Sequence, residues 1–111
     1  MNDQKTYLTD LEELTLLSVA RLGKKAYGVS IYETIEAIAR RPTSLGAIYT
    51  TLERLEQKGM VRSWQGEATP ERGGRAKRYY EIEASGLHAL NEVERIRTTL
   101  RAGLQPSGGT I

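Results

Sequence analysis

The sequence predicts a mainly helical α+β domain: three amphipathic helices, a small β-hairpin and one further helix. Three observations predict it. Apolar residues recur at helical spacing in four separate stretches, the period shortens to that of strands after Gly59, and a turn-rich, charged segment separates the two strand-like runs. At 111 residues the chain is long enough for one small core and too short for two.

The first helix is announced by Thr9 or Asp10 as cap, with Glu12 and Glu13 in the first turn, where the helix dipole favours acids. Leu11, Leu14, Leu17 and Leu22, with Val19 and Ala20 alongside, are expected to bury one broad face, and Gly23-Lys24-Lys25 ends the helix. A second helix begins at Gly28 or Ser30 and runs through Ile31, Ile35 and Ile38 to Arg40. Pro42 biases Arg41 out of helical geometry and forces a turn. Ser44 caps a third helix over 45–58, ended by Gly59, in which Leu45, Ile48, Leu52 and Leu55 form the buried stripe. Its opposite face carries Ala47, Tyr49, Thr50, Thr51, Glu53, Arg54 and Lys58. Met60 to Gln65 reads as one strand and Arg75 or Lys77 to Ile82 as the other. Between them, residues 66–74 are rich in Gly, Pro and charge. A last helix starts near Ser85 and spaces Leu87, Leu90, Val93, Ile96, Leu100 and Leu104 three or four residues apart. The tail 105–111 is expected to be disordered.

Composition removes several functions. The chain has no Cys and a single His (His88), so disulfides, thiolate zinc sites and thiol catalysis are excluded, and no nucleophile–base set is evident. No cofactor and no metal are expected, and an enzyme is the weakest reading. The longest apolar stretch, Leu14 to Leu22, is broken by Thr15, Ser18 and Arg21, so no membrane span is expected, and a cytoplasmic location follows. The net charge of +2 conceals an asymmetry. Residues 40–79 hold nine Lys/Arg against four Asp/Glu, net +5, whereas 1–39 carry −2 and 80–111 carry −1. The basic middle third is where a polyanion would bind.

Helix, helix, helix and hairpin in this order describe a winged helix-turn-helix. A helix enters the major groove only if its outward face is slim and polar, as Ala47, Thr50 and Thr51 would make it. Its N-terminal amides, at Ser44, Leu45 and Gly46, are uncrowded for a phosphate. Strand alternation sends Arg75 and Lys77 to one side of the wing and Ala76 and Arg78 to the other.

Several runs resemble the PadR-type transcriptional regulators. Residues 46–61, Gly-Ala-Ile-Tyr-Thr-Thr-Leu-Glu-Arg-Leu-Glu-Gln-Lys-Gly-Met-Val, are similar to the family's recognition helix. Ala26-Tyr27-Gly28-Val29 is similar to the opening of its second helix, residues 73–80 to its wing, and Ala84-Ser85-Gly86-Leu87 to the step into its last helix. The resemblance covers residues 8–100 in order. It implies a homodimeric, repressor-like regulator of the short form, with a single C-terminal helix that packs against the partner's first helix. Two winged motifs would then read a two-fold-related operator. No Trp, Tyr or Phe occurs in 85–104, which argues against drug binding by aromatic stacking on that helix.

The expected organisation is a winged-helix DNA-binding domain over 1–83, a dimerisation helix over 84–104 and the tail. The expected DNA-facing residues are Ser44, Gly46, Ala47, Tyr49, Thr50 and Arg54 on the recognition helix, with Arg72, Arg75 and Lys77 on the wing. The expected dimerisation residues are Leu90, Val93, Ile96, Leu100 and Leu104, against the partner's Leu11 and Leu14. Tyr49 is open to a double role, its ring on the hairpin while its hydroxyl reaches a phosphate; Tyr27 is expected to be core, Trp64 to anchor the wing on the helices, and His88 to lie at the surface or the dimer edge. The partners implied are double-stranded DNA, a second copy of the chain and an unspecified small-molecule effector. Two other readings compete: a winged helix used for protein interaction, and a sequence-indifferent architectural DNA binder.

Overall fold

Thr9 opens α1 (Asp10–Leu22) with a reciprocal cap. Its hydroxyl accepts from the Glu12 amide at 3.2 Å, and the Glu12 carboxylate accepts from the Thr9 amide at 2.9 Å. Gly23, at φ 59°, releases the chain through one 3₁₀ turn into α2 (Gly28–Ala39). Arg40 ends α2 in left-handed geometry, next to the Arg41–Pro42 step that forbids more helix. Ser44 caps α3 (Leu45–Gln57), its Oγ accepting from the Ala47 amide at 3.0 Å. Strands β1 (Val61–Gln65) and β2 (Arg78–Ile82) pair antiparallel, Val61 opposite Ile82 and Gln65 opposite Arg78. Helix α4 (Ala84–Ala102) follows directly. The computed structural model describes residues 7–67 and 76–104. Arg72 and Arg75 of the wing and the tail 105–111 lie outside the described residues.

The core is built where α1, α2 and α3 meet. Leu16, Ile31, Ile48, Leu52 and Leu55 are fully buried, and Met60, Val61 and Tyr80 of the hairpin close one side. The chain thus forms the mainly α architecture with a two-stranded wing that its periodicity predicts.

Two helical faces are rotated from expectation. On α1 the innermost residues are Glu12, Thr15, Leu16 and Val19, while Leu11, Leu14 and Leu22 flank them half-buried and Leu17 is 46% exposed. The buried 12/15/16/19 line runs to one side of Leu11, Leu14 and Leu22, which pack against its edge, and it takes in Leu16, which the expected face omits. On α3, Thr51 is buried rather than on the outer face. It lies between Ile48 and Leu55 on the apolar stripe, and its hydroxyl is satisfied by the Ala47 carbonyl at 2.8 Å.

The most unusual core member is charged. Glu12 is wholly buried, and Lys58 Nζ donates to both its carboxylate oxygens at 3.0 Å, with Arg54 Nη1 at 4.0 Å. The start of α1 is thereby bound to the end of α3 across 46 residues of sequence.

Helix α4 begins inside this core. Gly86, Ala89 and Leu90 are buried, so Leu90, expected on the dimerisation stripe, packs within its own domain. Gly86 lies against the backbone of the turn into β1, where a Cβ would stand 2.4 Å from the Met60 carbonyl oxygen. Backbone cannot give way as a side-chain tip can. Gly86→Ala should therefore cost about 1–3 kcal/mol, read as a fall of several degrees in the thermal unfolding midpoint, and an unchanged midpoint would contradict the close approach.

Candidate nucleic-acid interface

The outward face of α3 carries Gly46, Ala47, Tyr49, Thr50 and Arg54. All are exposed except Ala47, which is half-buried. A Cβ at Gly46 would meet only the Ser44 hydroxyl, at 4.0 Å, so the first turn of α3 stands open to solvent. Its free amides and dipole suit an anion there. The small side chains behind it leave the helix slim enough for a groove about 12 Å wide.

Tyr49 packs against the start of α2. Its ring crosses the start of α2, where a Cβ on Gly28 would fall 2.3 Å from the Tyr49 hydroxyl oxygen. The Tyr27–Gly28 step is thus required by a neighbour on another helix: only glycine leaves room for that ring. Arg54 projects from the same face as Ala47 and Thr50, and its half-exposed guanidinium leans toward Glu12.

The hairpin is tied to the helices by aromatic contacts and one main-chain hydrogen bond. The Tyr80 amide donates to the Ala26 carbonyl at 2.9 Å, and Tyr27 bridges to Tyr79 as a short extra strand contact. Tyr27 meets the Tyr79 ring edge-on at 5.8 Å, and Trp64 stacks on Tyr79 at 6.1 Å. Lys77 Nζ sits 4.8 Å from the Tyr27 ring centroid, which draws the wing's base toward α2. Tyr27 is accordingly half-buried, a joint between wing and helix more than a core residue.

Trp64 serves as an anchor only in part. It is 37% exposed, with the Arg62 guanidinium over its ring, and with Val19, Gly23, Lys24 and Tyr79 it walls a hollow of about 530 Å³ beneath the wing. The other hairpin cations are spent on bracing. Arg62 pairs with Glu81, and Arg78 donates to Ser63 at 3.1 Å, whose hydroxyl in turn donates to Glu56 at 2.8 Å. Among the described residues, neither Lys77 nor Arg78 of the wing makes an ion pair. Arg72 and Arg75 fall outside them.

The expected dimerisation residues separate into two groups. Leu90 is core, and Leu11, Leu14 and Val93 are half-buried, whereas Ile96, Leu100 and Leu104 are exposed at 41%, 69% and 67%. Leu17 of α1 and Ile38 of α2 also stand exposed, beside an apolar groove of about 280 Å³. His88 is at the surface. No helix among the described residues is long and apolar enough to cross a membrane.

An open-ended recognition helix braced against a two-stranded wing defines a winged helix-turn-helix DNA-binding protein. The chain belongs to the Transcriptional regulator PadR-like family, whose profile matches residues 16–92. It is therefore a DNA-binding transcriptional regulator. Its structure is similar to that of a PadR-like transcription factor from Bacteroides fragilis, with a TM-score of 0.68 and 23% identity, covering 83% of this chain and 84% of that one. It is also similar to a PadR family transcriptional regulator from Eggerthella lenta, with a TM-score of 0.61 and 27% identity over 81% and 76% of the two chains. The fold recurs in the Aeropyrum pernix ORC1 protein, solved in complex with DNA, at a TM-score of 0.65 and 23% identity over 85% of this chain and 27% of that one. No curated protein matches in sequence.

Burial raises the pKa of the Tyr80 phenol at the wing's base above its ordinary value of about 10. Arg78 opposes the shift, while Tyr49 and the carboxylates of Glu56 and Glu53 add to it. A raised folded-state pKa means that this contribution to stability is complete below pH about 10 and is lost as the pH climbs through the folded value. Denaturant unfolding above pH about 10 should thus steepen its loss of stability in the wild type and less so in Tyr80→Phe, and identical pH profiles would remove Tyr80 as the cause.

Proposed function

We propose that this regulator is a homodimeric, sequence-specific repressor of double-stranded DNA. It places α3 in the major groove and the basic wing on the minor groove or the phosphate backbone. The observation that carries this reading is the slim, exposed face of Gly46, Ala47 and Thr50 on α3, with its first turn open to an anion. Thr50 is the side chain best placed to touch a base edge. Ser44, Gly46 and Tyr49 face backbone phosphates, together with Arg54, Lys77 and the wing's Arg72 and Arg75. Repression is the simplest consequence of a dimer that occupies operator DNA.

One subunit offers few phosphate contacts, so tight and specific binding calls for two, set about one helical turn of DNA apart. The second copy is supported by α4. Nineteen residues make a helix roughly 28 Å long, of which only the first two turns enter the core. Its last described tie to its own domain is the Arg97–Glu13 ion pair at 3.0 Å, and beyond it Leu100 and Leu104 face solvent. A partner's α1, with Leu17 exposed and Leu14 beside it, is a suitable cover. A small-molecule effector would act most directly from the hollow under the wing, since Trp64 and Tyr79 both line it and hold the wing.

Selection of binding sites from random duplex DNA should return a two-fold-symmetric consensus. A featureless pool with steep salt dependence would mark an architectural binder, and no retained duplex at physiological salt would mark a protein-interaction module. On the selected site, Lys77→Ala should weaken all sequences alike and reduce the salt slope by about one unit, while Thr50→Ala should shift sequence preference more than affinity. Leu100→Glu should sediment as a monomer, and a persisting dimer would rule out the α4 interface.

A further inference from the structure

The buried carboxylate of Glu12 faces two cations of unequal hold. Lys58 Nζ occupies both its oxygens at 3.0 Å and is itself only 24% exposed. Arg54 reaches one oxygen at 4.0 Å from a side chain that is 49% exposed. Arg54 also shares the outward face of α3 with Ala47 and Thr50, at helical spacings of three and four residues. One carboxylate thus serves as the inner counter-ion of a group that points toward the proposed DNA surface.

We propose that Glu12 is a positioning residue for DNA binding: it holds Arg54 in the free protein, and Lys58 keeps Glu12 neutralised so that Arg54 can leave for a phosphate. The inference rests on the DNA reading above. Its physical basis is the asymmetry of the two pairs. Removing the only partner of a buried carboxylate is strongly unfavourable, whereas removing one of two partners is tolerable. Lys58 therefore determines whether Arg54 is available, without touching DNA. Arg54 suits the exchange because its fork binds carboxylate and phosphate oxygens with the same geometry.

The test is a salt titration of duplex affinity, on the full chain and its selected site, for three variants. Lys58→Met leaves Glu12 with Arg54 alone, so Arg54 is captured. The salt slope should fall by about 0.9, one phosphate contact, which is about a three- to fourfold change across a fourfold range of salt. Glu12→Gln keeps a capping-box residue in place, because Gln also serves at that position, but removes the charge. Affinity should rise by up to about fivefold, the weight of a half-exposed ion pair, with an unchanged slope. Glu12→Gln/Lys58→Met should restore the wild-type slope, which a merely structural defect in Lys58→Met would not allow. A wild-type slope in Lys58→Met, no restoration in the double variant, or lower affinity in a natively folded Glu12→Gln would each overturn the proposal while leaving the DNA reading intact. Should Lys58→Met fail to fold, Glu12→Gln decides alone by the sign of its affinity change. A wild-type protein that binds no duplex would overturn both.

Discussion

The arrangement of this protein depends on one buried charge cluster. Glu12 closes the cap of α1 and receives Lys58 from the C-cap of α3, with Arg54 one turn earlier. A carboxylate out of water is stable only when its oxygens are fully occupied. The pairing therefore sets how α1 and α3 cross, and with them the direction in which the outer face of α3 looks. The apolar residues beneath, Leu16, Ile48, Leu52 and Leu55, supply most of the stabilisation, but apolar contact is non-directional. The ion cluster supplies register.

A second set of contacts orients the wing. A hairpin of two five-residue strands is marginal on its own. Here it borrows a third edge from Ala26 and Tyr27, and a run of rings from Trp64 through Tyr79 to Tyr27 carries it onto the start of α2. The same α2 start is roofed by Tyr49 of α3, which lies against Gly28. Recognition helix and wing thus bear on one small region, Ala26 to Gly28, and a displacement of either is felt by the other.

Much of this was legible in the residues. The starts of α1 and α3 came from named caps, Thr9 or Asp10 and Ser44, and the stops of the first three helices from Gly23, Pro42 and Gly59, because these signals act within one turn of chain. The hairpin and the +5 charge of its segment were legible for the same local reason. The exposed face of α3 was identified except for Thr51, whose hydroxyl suggested water but finds the Ala47 carbonyl one turn back. What failed was the ranking of equivalent apolar residues. On α1 the line through Leu16 is buried while Leu17 is exposed, and leucine spacing alone does not rank one above the other. Leu90 likewise has the same spacing as Leu100, yet one is core and the other solvent-facing, because the domain's other elements end between them.

The sequence by itself determined the element order, the ends of the helices, the family and the basic segment, all of which follow from near neighbours along the chain. Only the tertiary structure decided which side of each helix is inside and that Glu12 belongs there. It also showed that Gly28 exists for Tyr49, and that Arg62 and Arg78 brace the hairpin. The reason is physical. Capping, turn formation and periodicity are satisfied within four residues, whereas burial of a charge or close approach to a glycine depends on groups brought together from distant parts of the chain. For Glu12 and Lys58 that separation is 46 residues.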